Sequence, residues 1–245
     1  MTSVPKNHPR YQSLMARHLL EEGVGSSITT MTGLVAHGRG EAFDYLIGER
    51  TRMFAKRAAK AAAAQLLLAQ KPVISINGNT AMLATAEMIS LSEASDALLE
   101  INLFHDAPKR RKRIEKRFKE FGAKKILGVS PDAKLRNLTS DRAKVDSRGM
   151  LDADVVLVSL EDGDRTEILV SQGKKIIAID LNPLSRTPKK ANISIVDNVI
   201  RALPCIETYV KQMQNYSDKR LQKILDNYDN RAVLKEAIQA IRKGV

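Results

Sequence analysis

Tryptophan is absent from the 245 residues, tyrosine and phenylalanine number five each, and cysteine occurs once, at Cys205. With aromatics at 4 %, the stacking platforms that single-stranded nucleic-acid binders use are scarce. One cysteine excludes an intramolecular disulfide, and no Cys/His spacing of a structural zinc site occurs. A reducing cytoplasm is the expected compartment. Long apolar runs are also missing. The most apolar helical stretch, Ala58 to Ala69, contains Lys60 and Gln65 and falls short of the roughly 20 apolar residues that cross a bilayer. Met1 to Arg10 holds two prolines and charge but no apolar segment, so no signal peptide is expected. Two nucleotide motifs are absent: the Gly-Lys-Ser/Thr ending of a Walker A loop, and the three spaced glycines of the dinucleotide fingerprint.

Negative charge is in short supply as well. Forty Lys and Arg against 28 Asp and Glu leave a net charge of +12 and a pI near 9.8, which calls for an anionic partner. A pocket holding a triphosphate, a phosphorylated acid and a carboxylate meets that demand without a polymer. At 27.1 kDa the chain can bury a full core. Short apolar runs at Val73–Ile76, Ala97–Leu103, Lys125–Val129, Asp154–Leu160, Ile176–Ile179 and Asn192–Val196 read as strands covered on both faces. Helical segments lie between them, with one over Tyr11–Leu20 and another over Thr51–Gln70. The fold class is therefore α/β: a Rossmann-like, open, mostly parallel sheet flanked by helices, with helical additions at both ends. One unit is expected over 1–245, with a helical segment at 1–71, a nucleotide-binding core at 72–204 and helices at 205–245, where Leu221 to Ile241 recur at helical spacing.

In such sheets ligands bind at the carboxyl ends of the strands, so the residues just after each strand carry the argument. After Ile179 come Asp180, Leu181, Asn182, Pro183, Ser185, Arg186, Thr187 and Pro188. The prolines put these polar groups on a loop. Asp and Asn suit nucleoside hydroxyls or a base, and Arg suits phosphate; an ordinary connection with a solvated Arg is the alternative. Asn77, Gly78 and Asn79 follow another strand, with Asn79 or Thr80 as the helix cap and Gly78 open to close approach. Gly38-Arg39-Gly40, ahead of a helical Glu-Ala-Phe-Asp-Tyr-Leu-Ile segment, reads as an anion cradle at a helix amino-terminus. His37 beside it, taken alone, reads as a structural histidine before a catalyst. Glu161, Asp162, Asp164 and Glu167 could hold Mg²⁺ on a nucleotide or simply suit a helix dipole. The basic loop Ser130–Gly149 reads as a lid, and Lys109–Arg113 as a solvated or anion-steering face. By spacing alone Arg17 is a solvated residue.

Five blocks taken together go further. His37-Gly-Arg39-Gly-Glu-Ala-Phe-Asp-Tyr-Leu-Ile-Gly48, Val73-Ile-Ser-Ile-Asn-Gly-Asn79, Ala153-Asp-Val-Val-Leu-Val-Ser-Leu-Glu-Asp-Gly-Asp-Arg-Thr166, Ile177-Ala-Ile-Asp-Leu-Asn-Pro-Leu-Ser-Arg-Thr187 and Val196-Asp-Asn-Val-Ile-Arg-Ala-Leu-Pro204 closely resemble the archaeal phosphopantothenate synthetase family, the 4-phosphopantoate–beta-alanine ligases. The resemblance implies a homodimeric enzyme of coenzyme A biosynthesis that joins 4-phosphopantoate to beta-alanine, consuming ATP, with Mg²⁺ accompanying the nucleotide. It implies ATP binding by Arg17, Arg39, Asp180, Leu181, Asn182, Arg186, Thr187, Asn198 and Val199, which reverses the spacing-based reading of Arg17. Arg39 and His37 become the candidates for catalysis, and Asn77, Gly78 and Asn79 for the phosphopantoate side; no metal ligand, membrane or nucleic acid is expected. A basic RNA-binding protein and a nicotinamide-dependent oxidoreductase are the two rival readings.

Overall fold

A computed structural model describes residues 4–244. Residues 1–3 and 245, the outermost parts of the expected N-terminal segment and tail, lie outside the described residues. The chain begins with three helices, α1 (Tyr11–Gly25), α2 (Met31–Ile47) and α3 (Met53–Leu68), before its first strand, β1 (Pro72–Ile76). Next come α4 (Gly78–Leu83), α5 (Thr85–Ser95), β2 (Leu98–Ile101) and α6 (Pro108–Glu120). Two-residue strands β3 (Ala133–Lys134) and β4 (Lys144–Val145) pair antiparallel apart from the main sheet. The alternation then resumes with β5 (Val155–Ser159), α7 (Gly163–Ser171), β6 (Lys175–Ile179), α8 (Arg186–Lys190), β7 (Ile193–Ile195) and α9 (Val199–Met213). Helices α10 (Asp218–Asp226) and α11 (Asn230–Lys243) end the described chain.

The five long strands form one parallel sheet in the order β2-β1-β5-β6-β7. Alternate residues feed two cores, as the period of two requires. Ile74, Ile76, Val155, Leu157, Ile177 and Ile179 pack with the alanine-rich α3 and with α9. Val73, Val156, Val158, Ile176 and Ala178 pack with Leu169 of α7 and with Leu135 and Val145 of the small hairpin. Runs of buried alanine in α3, Ala61 to Ala64 among them, let that helix approach the sheet closely. The α/β class read from the sequence is the one observed.

The strand order matters for function. From β1 the chain steps outward to β2, and then it crosses back to lay β5 on the other side of β1. Connections therefore leave β1 and β5 in opposite directions, and a crevice opens between their carboxyl ends. Helix α2 lies across that edge. Asn79, just past β1, donates to the Gly33 carbonyl (2.8 Å) near the start of α2. Asn198, just past β7, donates to the buried Asp44 carboxylate (2.9 Å) near its end. Arg201 joins Asp44 (2.5 Å) to Asp197 (2.7 Å). Seventeen helical residues span about 25 Å at 1.5 Å each, enough to bridge from β1 to β7.

Several local expectations are corrected. Gly38, Arg39 and Gly40 sit in the middle of α2, whose true amino-terminal cap is Thr30, accepting from Gly33 N–H (3.1 Å); two glycines within a helix were misread as its start. Lys125–Val129 contributes one bridge, Leu127 to Glu100, instead of a strand. Ser130–Gly149 is neither structureless nor a free basic lid, because Lys144 pairs with Asp106 and Asp141, Arg148 with Asp146, and Arg142 with Glu161. Arg186 and Thr187 open α8, in whose first turn Pro188 is tolerated because no hydrogen bond is lost there. Asn77 caps α4 in place of Asn79 or Thr80, and it forms a capping box with Thr80.

Candidate active site

A cavity of about 260 Å³ opens where β1 and β5 end, under the inner face of α2. Arg39, Asn77, Gly78, Asn79, Arg110 and Arg142 contribute to its wall. Arg39 is exposed and makes no hydrogen bond or ion pair to the protein among the described residues. Its charge is felt by the Asp180 carboxylate at the end of β6. Asn77 and Asn79 line the cavity with their side chains engaged. Asn77 Oδ1 accepts from Asn79 N–H and Thr80 N–H (both 3.0 Å), and its Nδ2 donates to Ser159 O (2.6 Å), tying β1 to β5. Asn79 Oδ1 accepts from Thr29 Oγ1 (2.7 Å). These two asparagines shape the crevice and fix α2 over it. Gly78 is required sterically: a Cβ there would fall on Arg110 Nη2 and come within 2.5 Å of the Ile28 carbonyl.

A smaller hollow adjoins the first at Leu160, lined by His37, Gly40, Leu181, Asn198 and Val199 among others. It brings together residues from α2, the β6 exit and the start of α9. His37 is buried, and burial lowers its pKa below the ordinary range, keeping the ring neutral near pH 7. Its Nε2 is buried without a hydrogen-bond partner. Asp180 accepts from Ser185 Oγ (2.6 Å) and Asn182 N–H (2.9 Å). Its surroundings push its carboxyl above the usual range, against the pull of those bonds and of Arg39. Asn198 caps α9.

Of the sequence candidates, Asp180 and Asn182, beside Leu181, do not themselves line these hollows, and neither do Arg17, Arg186 and Thr187. Arg17 binds Glu41 of α2 (2.9 and 3.0 Å) and borders a separate surface concavity with Gly38 and Tyr45, near enough to His37 to help lower its pKa. Arg186 is turned to the outside, paired with Asp164 (2.6 Å) and Glu167 (3.3 Å). Thr187 donates to the Glu161 carbonyl (2.9 Å) and is buried.

Of the arginines of the wall, the sequence singled out Arg39, and it read Arg110 only within a solvated or anion-steering face and Arg142 only within a lid. Arg111, read as solvated, is buried with Asp106 (2.5 Å) and the Ile101 carbonyl (2.9 Å). Its spacing with Ile114 and Phe118 put it on the apolar stripe of α6, a signal available from the start. Below the cavity Arg142 and the fully buried Arg165 both pair with Glu161. Burial and mutual repulsion lower Arg142 to about 9, and burial lowers Arg165 to about 10. Glu161 is thus consumed by two guanidiniums, and Asp162 caps α7 by accepting from Arg165 N–H (2.8 Å). Among the described residues no group of three or more His, Cys, Asp or Glu is placed to hold a metal, and the carboxylates at the β5 end are engaged within the chain, Asp164 and Glu167 with Arg186.

A larger groove of about 530 Å³ lies between α3, α10 and α11. It is remote from the strand ends, and its Arg57 is already paired with Glu236 (2.5 Å). Chemistry belongs at the smaller crevice, where unpartnered donors, an orphan imidazole nitrogen and helix termini converge.

The rival readings lose ground on this geometry. The Lys109–Arg113 run is not a continuous basic surface, since Arg111 is internal. The N–H groups of Asn79 and Thr80 that would greet a dinucleotide pyrophosphate are occupied by Asn77. Among the described residues no helix is long and apolar enough to cross a membrane.

Comparison with known proteins agrees with the resemblance read from the sequence. The family described as phosphopantothenate/pantothenate synthetase matches residues 54–244. The chain is 50 % identical over 243 residues to a 4-phosphopantoate–beta-alanine ligase of Methanosarcina mazei, covering 99 % of this chain and 96 % of that one. Against the enzyme of that name from Thermococcus kodakarensis the identity is 49 % over 243 residues, covering 99 % and 93 %. For that of Methanospirillum hungatei it is 49 % over 210 residues, 86 % of each. With a family match over more than half its length and half its residues shared with relatives of equal extent, the chain belongs to the phosphopantothenate synthetase family.

Proposed function

We propose that this protein condenses 4-phosphopantoate with beta-alanine, using ATP and releasing AMP and diphosphate. The observation that carries the reading is Arg39, an exposed guanidinium at mid-helix in the wall of the β1/β5 crevice, with no partner among the described residues. A carboxylate cannot form an amide directly because oxide would have to leave. In the first step a carboxylate oxygen attacks the α-phosphorus and the bond to the β-phosphate oxygen breaks, giving an acyl-adenylate and diphosphate. In the second the beta-alanine amine attacks the acyl carbon, AMP departs, and the nitrogen loses a proton. Both steps crowd anions together, so the protein contributes position and positive charge.

In this reading Asp180, Leu181, Asn182, Asn198 and Val199 hold the nucleoside, while Arg39 meets the developing charge at the α-phosphate. Neutral His37, with a free Nε2, accepts the amine proton or holds the amine. Arg17, Arg186 and Thr187 support the nucleotide site from its margins. Mg²⁺ enters on the phosphate oxygens of ATP and needs no protein carboxylates. The enzyme works in the cytoplasm, and as a homodimer, the second reading favoured by the exposed apolar stripe of α2. Incubation of the purified chain with the three substrates should yield AMP, and ¹⁸O placed in the phosphopantoate carboxylate should appear in that AMP. Label found only in inorganic phosphate, or no AMP at all, would overturn the proposal.

A further inference from the structure

Arg110 is built differently from the other cations of the crevice. It lies in the first turn of α6, and two carbonyls fix its guanidinium: Nε donates to Ile28 O (2.7 Å) and Nη1 to His105 O (3.1 Å). Its Nη2 rests against the backbone of Gly78. No carboxylate pairs with it among the described residues. Asp106, the nearest acid felt by it, is spent on Arg111 (2.5 Å) and Lys144 (3.1 Å). A half-buried guanidinium with two neutral acceptors and no counterion is an expensive arrangement, and burial lowers its pKa accordingly. Behind it Arg142 is already overcrowded by Arg165 and by Arg110 itself. The two carboxylates of the lining, Glu161 and Asp162, are both paired with Arg142, so Arg110 is left without a counterion among the described residues.

The strand order says which anion. The nucleoside residues follow β6 and β7, and the crevice lies at β1 and β5. Arg110 and His105 stand at the β2 exit, three strands from β6 and so roughly 14 Å away at about 4.8 Å per strand. An in-line displacement at the α-phosphate sends diphosphate away from the attacking carboxylate. With the nucleoside at β6 and β7, the β2 side is the part of the crevice left for the acid, opposite the departing diphosphate. We infer that Arg110, backed by Arg142, is the subsite that grips the 4-phosphate of the acid substrate and discriminates against the unphosphorylated acid. This rests on the ligase reading above. A fixed guanidinium fork suits a phosphomonoester, whose charge of nearly −2 supplies the missing counterion.

The test is steady-state kinetics on the full chain, varying each substrate in turn. The wild type must first form AMP with 4-phosphopantoate; if it does not, the ligase reading falls and this inference with it. Given activity, Arg110→Gln should raise the KM for 4-phosphopantoate about 10- to 100-fold, the loss expected for a hydrogen bond to a charged group. The KM for ATP should stay within about twofold of the wild type on that scale. The preference for 4-phosphopantoate over pantoate should shrink by the same factor, and Arg110→Lys should recover part of it. A raised KM for ATP alone, or an unchanged preference, would overturn the inference while leaving the ligase intact. Should Arg110→Gln not fold, inhibition of the wild type by inorganic phosphate decides: competition with 4-phosphopantoate supports the subsite, and competition with ATP alone removes it.

Discussion

At the scale of single residues, a functional guanidinium is recognised here by what it does not touch. Arg17, Arg142, Arg165, Arg186 and Arg201 all meet carboxylates, and their charge is spent within the chain. Arg39 is not so committed. Removing one preorganised donor at a developing charge costs roughly 3 kcal/mol, so Arg39→Ala should lower kcat/KM by about two orders of magnitude while the melting temperature stays put. A fall of less than about fivefold, roughly 1 kcal/mol, would refute its role. His37 makes a second prediction, in the pH dependence of stability. Its folded pKa lies below the unfolded value of about 6.5, so the unfolded chain binds the proton more readily. The stability tied to the neutral ring is complete above that pH and lost as pH falls towards the folded value. His37→Gln removes this dependence, and its melting temperature should drop less than that of the wild type between pH 7 and pH 5. Equal drops in both proteins would rule the account out.

At the scale of elements, α2 works only because both its ends are fastened. The fastening near its end is the Asp44–Arg201–Asp197 cluster, completed by Thr51 Oγ1 donating to Asp197 (2.6 Å). Burial pushes the Asp197 carboxyl up, with Arg201 opposing it. Arg201→Met leaves two carboxylates buried without a cation, a change that costs about 3 kcal/mol. The urea midpoint should fall accordingly and the KM for ATP should rise as Asn198 loses its register. A loss below about 1 kcal/mol, the level of an exposed pair, would show the cluster to be incidental. The strands of this scaffold were legible because each is buried on two faces and reads as an unbroken apolar run, Val73–Ile76 and Ile176–Ile179 above all. Arg39 over the crevice was found for the wrong reason, since Gly38 and Gly40 signalled a helix start and instead lie within one. The arginine wall was not legible. Arg110 and Arg142 owe their roles to carbonyls and carboxylates supplied from Ile28, His105 and Glu161, and charge in sequence carries no record of such distant partners. Nor could the Ser130–Gly149 stretch be resolved, because two of its acidic partners, Asp106 and Glu161, lie outside it, although Asp141 and Asp146 lie within.

At the scale of the whole molecule, a chain with a net charge of +12 repels its own copies unless the contact surface is kept free of charge. The outer face of α2 offers an apolar stripe, bordered by Arg10 and Arg17, whose charge Glu41 meets. Met31, Val35, Tyr45 and Leu46 are 65, 72, 61 and 42 % exposed, and Met53 beyond the helix is 64 % exposed. Their spacing puts them on one side, with Gly38 and Ala42 between. The charged residues of α2 look elsewhere: Glu41 and Asp44 are buried, and Arg39 faces the crevice. A Cβ at Gly38 would meet nothing within 4 Å, which leaves room for another helix to come close. Monomers seldom expose a continuous apolar stripe of this length, and a twofold dimer uses the same stripe on both copies. The wild type should therefore sediment at twice the chain mass of 27.1 kDa. Val35→Glu with Leu46→Glu places like charges across the twofold contact and should yield a species of single chain mass with an unchanged circular dichroism spectrum. The same helix carries Arg39 beside the stripe, four residues after Val35 and seven before Leu46, so dissociation should also lower ligation as α2 loses the support of its neighbour. A wild type that sediments as a monomer at micromolar concentration would remove the dimer from this account and leave the stripe to some other partner.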